Sequence, residues 1–158
     1  MGLRDSNWML FVRLAQAVFG IIVLGLTAYV INWENERWWG SADSVNFMLF
    51  NSIWTLLIVL PYLCLVPNFF IQLSNVRAIL ALEIITMIFW FSGFIALAAA
   101  LPPASGCGYS ACQSAQAASA FGAFEWVLFS ITTAFGVRLL MRPAQAKTAP
   151  QAATPAGV

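Results

Sequence analysis

The chain has 158 residues, of which 8% are charged and 61% apolar, with seven basic side chains, six acidic ones, no histidine and a net charge of +1. Soluble domains carry about a quarter charged residues, so this composition belongs to a membrane protein, and without a basic cluster the footprint of nucleic-acid binding is missing. With no His, no P-loop and no G-x-G-x-x-G, no catalytic residue, cofactor or metal is expected, and the chain reads as a non-enzyme.

Residues 1 to 8 form a short polar N-terminus ahead of a first apolar span over 9 to 31. That run is longer than a signal-peptide core, and no small-residue cleavage pattern follows it, so it reads as a mature helix. Asn32, Trp33, Glu34, Asn35, Glu36 and Arg37 close it. A second span over 45 to 66 contains Asn51 and Pro61, which should bend it, and is expected to close at Pro67 and Asn68. The third, 77 to 101, stops at Pro102 and Pro103. The fourth, 116 to 141, leads into residues 142 to 158, a segment of Ala, Pro, Thr and Gln too poor in bulky apolar surface to order itself. The expectation is an all-α integral membrane four-helix bundle with a disordered tail.

Four spans put both termini on one side. Arg4, Arg13, Arg138, Arg142 and Lys147 lie near the termini and Arg77 near the middle loop, while the other two loops hold only Arg37. Counting Lys and Arg near helix ends therefore makes the termini and the second loop cytoplasmic. Trp8, Trp33, Trp38, Trp39 and Tyr62 fall near span ends, where interfacial aromatics sit.

Besides Arg77 and Arg138 close to span ends, three charges fall inside apolar spans: Arg13, Glu83 and Glu125. An ionised side chain at a bilayer's centre costs about 2.5 to 3.5 kcal/mol or more, so each needs a partner or a neutral form. Arg13 and Glu83 both lie about 8 to 9 Å deep from the cytoplasmic side at 1.5 Å per residue. Three readings stand: the two pair inside the bundle, Arg13 snorkels to the headgroups beside a protonated Glu83, or the two belong to a proton or ion relay. Glu125 lies about 14 Å and Asn51 about 9 Å from the outer ends of their helices. A neutral Glu125 then donates to Asn51 or to a helix carbonyl, or else takes part in transport.

Cys107 and Cys112 flank Gly108 to Ala111 in the third loop, on the oxidising side, which favours a structural disulfide over a redox-active pair. Cys64, near the cytoplasmic end of the second span, is either an inert buried thiol or a palmitoylation site. Gly93, Ala96 and Ala100 on the third span, with Ala118 and Gly122 on the fourth, have the three- and four-residue spacings that let helices approach closely, within the monomer or between protomers.

Arg13 and Gln16 ahead of Gly25 and Leu26, a paired-cysteine outer loop, and Gln116, Ala117, Ala120, Phe121, Gly122, Ala123, Phe124, Glu125, Trp126, Leu128 and Phe129 together resemble a fungal MARVEL-domain protein, similar to the non-classical export protein 2 group. The likeness covers residues 8 to 141, and its most specific part is the Ala-Phe-Gly-Ala-Phe-Glu-Trp stretch. It implies cytoplasmic termini, residence in the plasma membrane or secretory vesicles, and a role in eisosome-type membrane domains or vesicle trafficking. The partners it implies are membrane lipids such as sphingolipid or sterol, other membrane proteins, or further copies of the chain. The alternative is a small transporter or channel component using Glu83 or Glu125. Claudins are set aside, because the first outer loop carries Trp38 and Trp39 but no Cys.

Overall fold

In a bilayer the backbone has no water to bond, so a long apolar run satisfies its own N–H and C=O groups by becoming helical. The computed structural model describes residues 3–38, 40–69 and 76–141, and among these the only regular structure is helix. α1 runs Leu3–Trp38, α2 Asp43–Trp54, α3 Leu60–Phe69, α4 Val76–Ala100 and α5 Ser110–Met141. Among the described residues, four helical stretches are long and apolar enough to cross a membrane: Asn7–Arg37, Asp43–Cys64, Arg77–Ala100 and Ser110–Arg138. The protein is a multi-pass, all-helical membrane protein. The tail over 142 to 158, with Arg142 and Lys147, and Trp39 lie outside the described residues.

Helix ends differ from hydropathy ends. Asn32 to Arg37 remain helical, because polar side chains end an apolar run without breaking backbone hydrogen bonds. α5 likewise begins at Ser110, six residues before its apolar span. α3 continues through Pro67 to Phe69.

α2 and α3 are one crossing interrupted by a π-helical turn over Thr55–Val59, in which the Leu60 N–H is accepted by the Thr55 carbonyl, five residues back. The turn directly precedes Pro61, the residue expected to bend the span. A proline ring lacks an N–H and presses on the carbonyl four residues earlier, here that of Leu57, and the wider π turn relieves that clash.

α1 packs along α2 and α5, and α4 along α2 and α5, so α1 and α4 stand diagonally across the bundle. Val23, Val30, Val45, Met48, Val59, Leu63, Trp90, Leu97, Ala115, Ala118 and Phe129 form the apolar core. Lipid tails are as apolar as these side chains, so close packing and interhelical hydrogen bonds hold such a core together. Two reciprocal bonds join the second crossing to α4: Trp54 Nε1 donates to Thr86 Oγ1 at 3.2 Å, and Trp90 Nε1 to Thr55 Oγ1 at 3.0 Å.

Glycines set the closest approaches. A Cβ on Gly93 would lie 2.6 Å from Asn51 Nδ2 and 2.9 Å from Met48 Sδ, and one on Gly122 would lie 2.6 Å from Met48 Cε and 3.2 Å from Phe94 Cβ. The main obstacle at Gly122 is a mobile methyl, whereas Asn51 Nδ2 is fixed by its bond to the Phe89 carbonyl at 2.9 Å. Gly93→Ala is therefore expected to destabilise the bundle by about 1 to 3 kcal/mol and Gly122→Ala by clearly less. Thermal unfolding of the two variants in detergent checks the order, and an equal or reversed loss would show that Asn51 is not fixed.

Candidate functional site

Polar side chains in the described bundle turn inward. Gln16, Thr27, Asn51, Ser52, Thr55, Glu83, Thr86, Ser119, Glu125, Thr132 and Thr133 are buried, while Leu10, Phe11, Leu14, Val18 and Ile21 of α1 are exposed. Each polar group in such a medium needs an internal partner, so these bonds dictate how the helices are rotated.

The strongest of them is the pair expected from depth matching. Arg13 donates through one guanidinium nitrogen to Glu83 Oε1, and through the other to Gln16 Oε1 at 2.9 Å. Both side chains are largely enclosed, 11% and 4% exposed, so Arg13 does not reach outward to the headgroups. α5 closes the site from a third side, since a Cβ on Gly136 would meet Leu80 at 3.2 Å and Glu83 Oε2 at 3.9 Å. The pair neutralises two charges and spans the bundle diagonal.

Glu125 sits elsewhere, fully buried on α5 with its carboxyl group facing Gly20 of α1. A Cβ at Gly20 would lie 3.6 Å from Glu125 Oε1 and 3.4 Å from the Leu56 side chain, so this glycine makes the niche that the carboxyl group occupies. Neither carboxyl oxygen has a hydrogen-bond partner among the described residues. The expected bond to Asn51, or to a helix carbonyl, is therefore not formed. Asn51 instead gives its amide to Phe89 of α4, in the space that Gly93 leaves open.

The small residues divide. Gly93, Ala118 and Gly122 are buried at helix contacts, but Ala96 and Ala100 are exposed. Glu83, Thr86, Trp90, Gly93 and Leu97 recur at three and four and carry the inward face of α4, which turns Ala96 and Ala100 away. α4 meets α5 in part through Ser119, whose hydroxyl donates to the Phe94 carbonyl at 3.1 Å.

At the loop end, Cys107 and Cys112 form a close, buried pair with Cα atoms 5.5 Å apart, within disulfide range. Between them Tyr109 stacks on Trp33 at 4.9 Å, and Ser110 bonds Tyr29 at 2.8 Å, which fastens the third loop to the end of α1. Cys64 is half-buried on α3. No group of three or more His, Cys, Asp or Glu among the described residues is arranged to hold a metal.

Sequence reasoning did not single out the Gly20 niche or the crossed Trp–Thr bonds. Thr55, next to Trp54, and Thr86, one turn before Trp90, were a usable signal for the latter. Gly20 offered none, because a glycine in a span looks the same whether it faces a carboxyl group or lipid.

Removing one member of a buried ion pair strands the other. Glu83→Gln or Arg13→Gln alone is expected to cost about 3 kcal/mol, and the double variant or the Arg13→Glu, Glu83→Arg swap to recover most of that. A double-mutant cycle on unfolding in detergent that returned simple additivity would mean that the two side chains do not act on each other.

Comparison with curated proteins and with solved structures finds no match. A family model described as a membrane-associating domain, MARVEL, does match, and it spans residues 7–135, which takes in the first three crossings, nearly all of the fourth, the Arg13–Glu83 pair, Glu125 and the cysteine loop. The chain belongs to the MARVEL membrane-associating domain family.

Proposed function

We propose that the protein is a non-enzymatic membrane organiser that works by lateral packing against lipids and other membrane proteins, in plasma-membrane domains or in vesicle trafficking. The observation that carries this reading is the distribution of polarity: the charges and hydrogen-bonding groups within the spans are spent inside the bundle, and each crossing also leaves large apolar side chains, such as Phe11, Leu57, Ile88 and Phe124, on the outside. Family membership in a membrane-associating domain supports it. The resemblance to the non-classical export protein 2 group supports a sphingolipid- or sterol-rich plasma membrane as its site, and the Lys and Arg distribution supports cytoplasmic termini. The Cα separation and burial of Cys107 and Cys112 support a structural disulfide in the loop opposite the termini.

A transport role is the second reading, and the partnerless carboxyl group of Glu125 favours it. Glu83, committed to Arg13, is the weaker candidate.

Fluorescently tagged protein is expected in stable plasma-membrane patches that disperse on sphingolipid depletion, and uniform labelling unaffected by depletion would count against the organiser. In liposomes no flux is expected at any pH; a robust flux abolished by Glu125→Gln would establish the transporter instead. Reduction of the purified protein should expose two additional thiols to alkylation, and none if the loop cysteines are unbridged.

A further inference from the structure

At the loop end of the bundle, α1, α2, α4 and α5 surround a cavity of about 130 Å³ whose walls include Trp33, Glu34, Leu97, Ala100, Tyr109 and Ala115. Its volume is several times the roughly 30 Å³ a water takes in the liquid. It lies at the polar end of the first crossing, which runs to Arg37. We propose that this cavity binds the ammonium group of a zwitterionic phospholipid, with the same lipid's phosphate on Arg37.

The charges fit that occupant. Glu34 is half-buried, and among the described residues its carboxylate accepts one bond, from the Ala42 N–H at 2.9 Å through Oε2, which leaves Oε1 to meet a cation. Glu36 is held by Asn32 at 2.9 Å and does not line the cavity. Trp33 is covered by the Tyr109 ring and the Arg37 guanidinium, so Tyr109 supplies the aromatic face, which suits an ammonium group and its methyl substituents better than a strongly hydrated metal ion. Among the described residues no basic side chain lines the cavity, so an anionic headgroup entering it would face a carboxylate with no counter-charge there.

Arg37 supplies the second half of the match. It follows Glu34 by three residues, so the two side chains rise from neighbouring positions on one face, with Cβ atoms about 5 to 6 Å apart. The guanidinium lies over the Trp33 ring, 4.7 Å from its centroid, and the side chain is exposed. An acid inside the cavity and a base at its rim repeat, in reverse sign, the ammonium and phosphate that a short linker joins in a zwitterionic headgroup. The site stands apart from the organising role, since a protein of any function in this membrane would carry it.

The test uses the full chain in detergent with equimolar dioleoylphosphatidylcholine and dioleoylphosphatidylglycerol, reading retained lipid by native mass spectrometry. Phosphatidylcholine should be retained about tenfold over phosphatidylglycerol, whose glycerol carries no cation for the Glu34 carboxylate. Glu34→Gln keeps an acceptor for the Ala42 N–H and should erase the preference, Arg37→Gln should weaken it, and Glu36→Gln should leave it intact. Ala100→Phe, at an exposed wall position, should block retention without touching a charge, and serves if Glu34→Gln does not fold. Equal retention of the two lipids, or a preference that survives both Glu34→Gln and Ala100→Phe, would overturn the proposal and leave the cavity as a packing void. Loss of the plasma-membrane patches with this preference intact would count against the organiser alone.

Discussion

The ion pair between Arg13 and Glu83 is the constraint around which the other contacts are arranged. α1 and α4 are diagonal, so neither gains much from direct backbone approach, and a bundle held only by its four sides can shear into a flattened parallelogram. A charged bond along the diagonal opposes that motion. It also fixes rotation, because Arg13 and Glu83 can meet in an apolar medium at only one angular setting of each helix. With those settings given, Gln16 falls beside Arg13, Thr86 and Trp90 of α4 face the second crossing, and Gly136 of α5 backs the carboxylate.

The remaining contacts refine that setting. Met48 occupies the space facing both Gly93 and Gly122, so one flexible side chain serves the α2–α4 and α2–α5 contacts together. The crossed Trp–Thr bonds resist sliding of the second crossing along α4, since a shift of either helix breaks both. At the loop end, the Trp33–Tyr109 stack and the Glu34–Ala42 bond close α1 onto α5 and α2. The interior is therefore ordered by directional contacts, while the outer surface, made of Leu, Ile, Val and Phe, imposes no direction on what it touches.

Sequence alone was enough for the architecture because bilayer thickness converts apolar length directly into crossings. The Arg13–Glu83 pair was legible too, since depth along a helix follows from residue count. Rotation about the helix axis was harder. Asn51, one of the two partners weighed for Glu125, faces α4, and Ala96 and Ala100, weighed for contacts within the monomer or between protomers, are exposed on the single chain. An almost uniformly apolar helix such as α4 has little amphipathic signal, so its inward face is decided by a few polar residues and by its partners. Glu125 shows the same limit: its depth was readable, but the glycine that receives it belongs to another helix.

The π turn at Thr55–Val59 bears on how this chain tolerates change. A π turn holds one residue more than an α-helical turn over the same rise, so the second crossing carries a local surplus of one residue next to Pro61. Before it Asn51 and Ser52 face inward, and after it Leu63 does. Deleting a residue between 56 and 59 lets the turn relax to ordinary α geometry with both halves keeping their faces, at the cost of restoring the press of Pro61 on the carbonyl four residues before it. A deletion in α4, which has no such slack, turns everything beyond it by about 100° at 3.6 residues per turn and moves its polar face toward lipid. Length variation among related chains should therefore be found in the second crossing and be rare in the third.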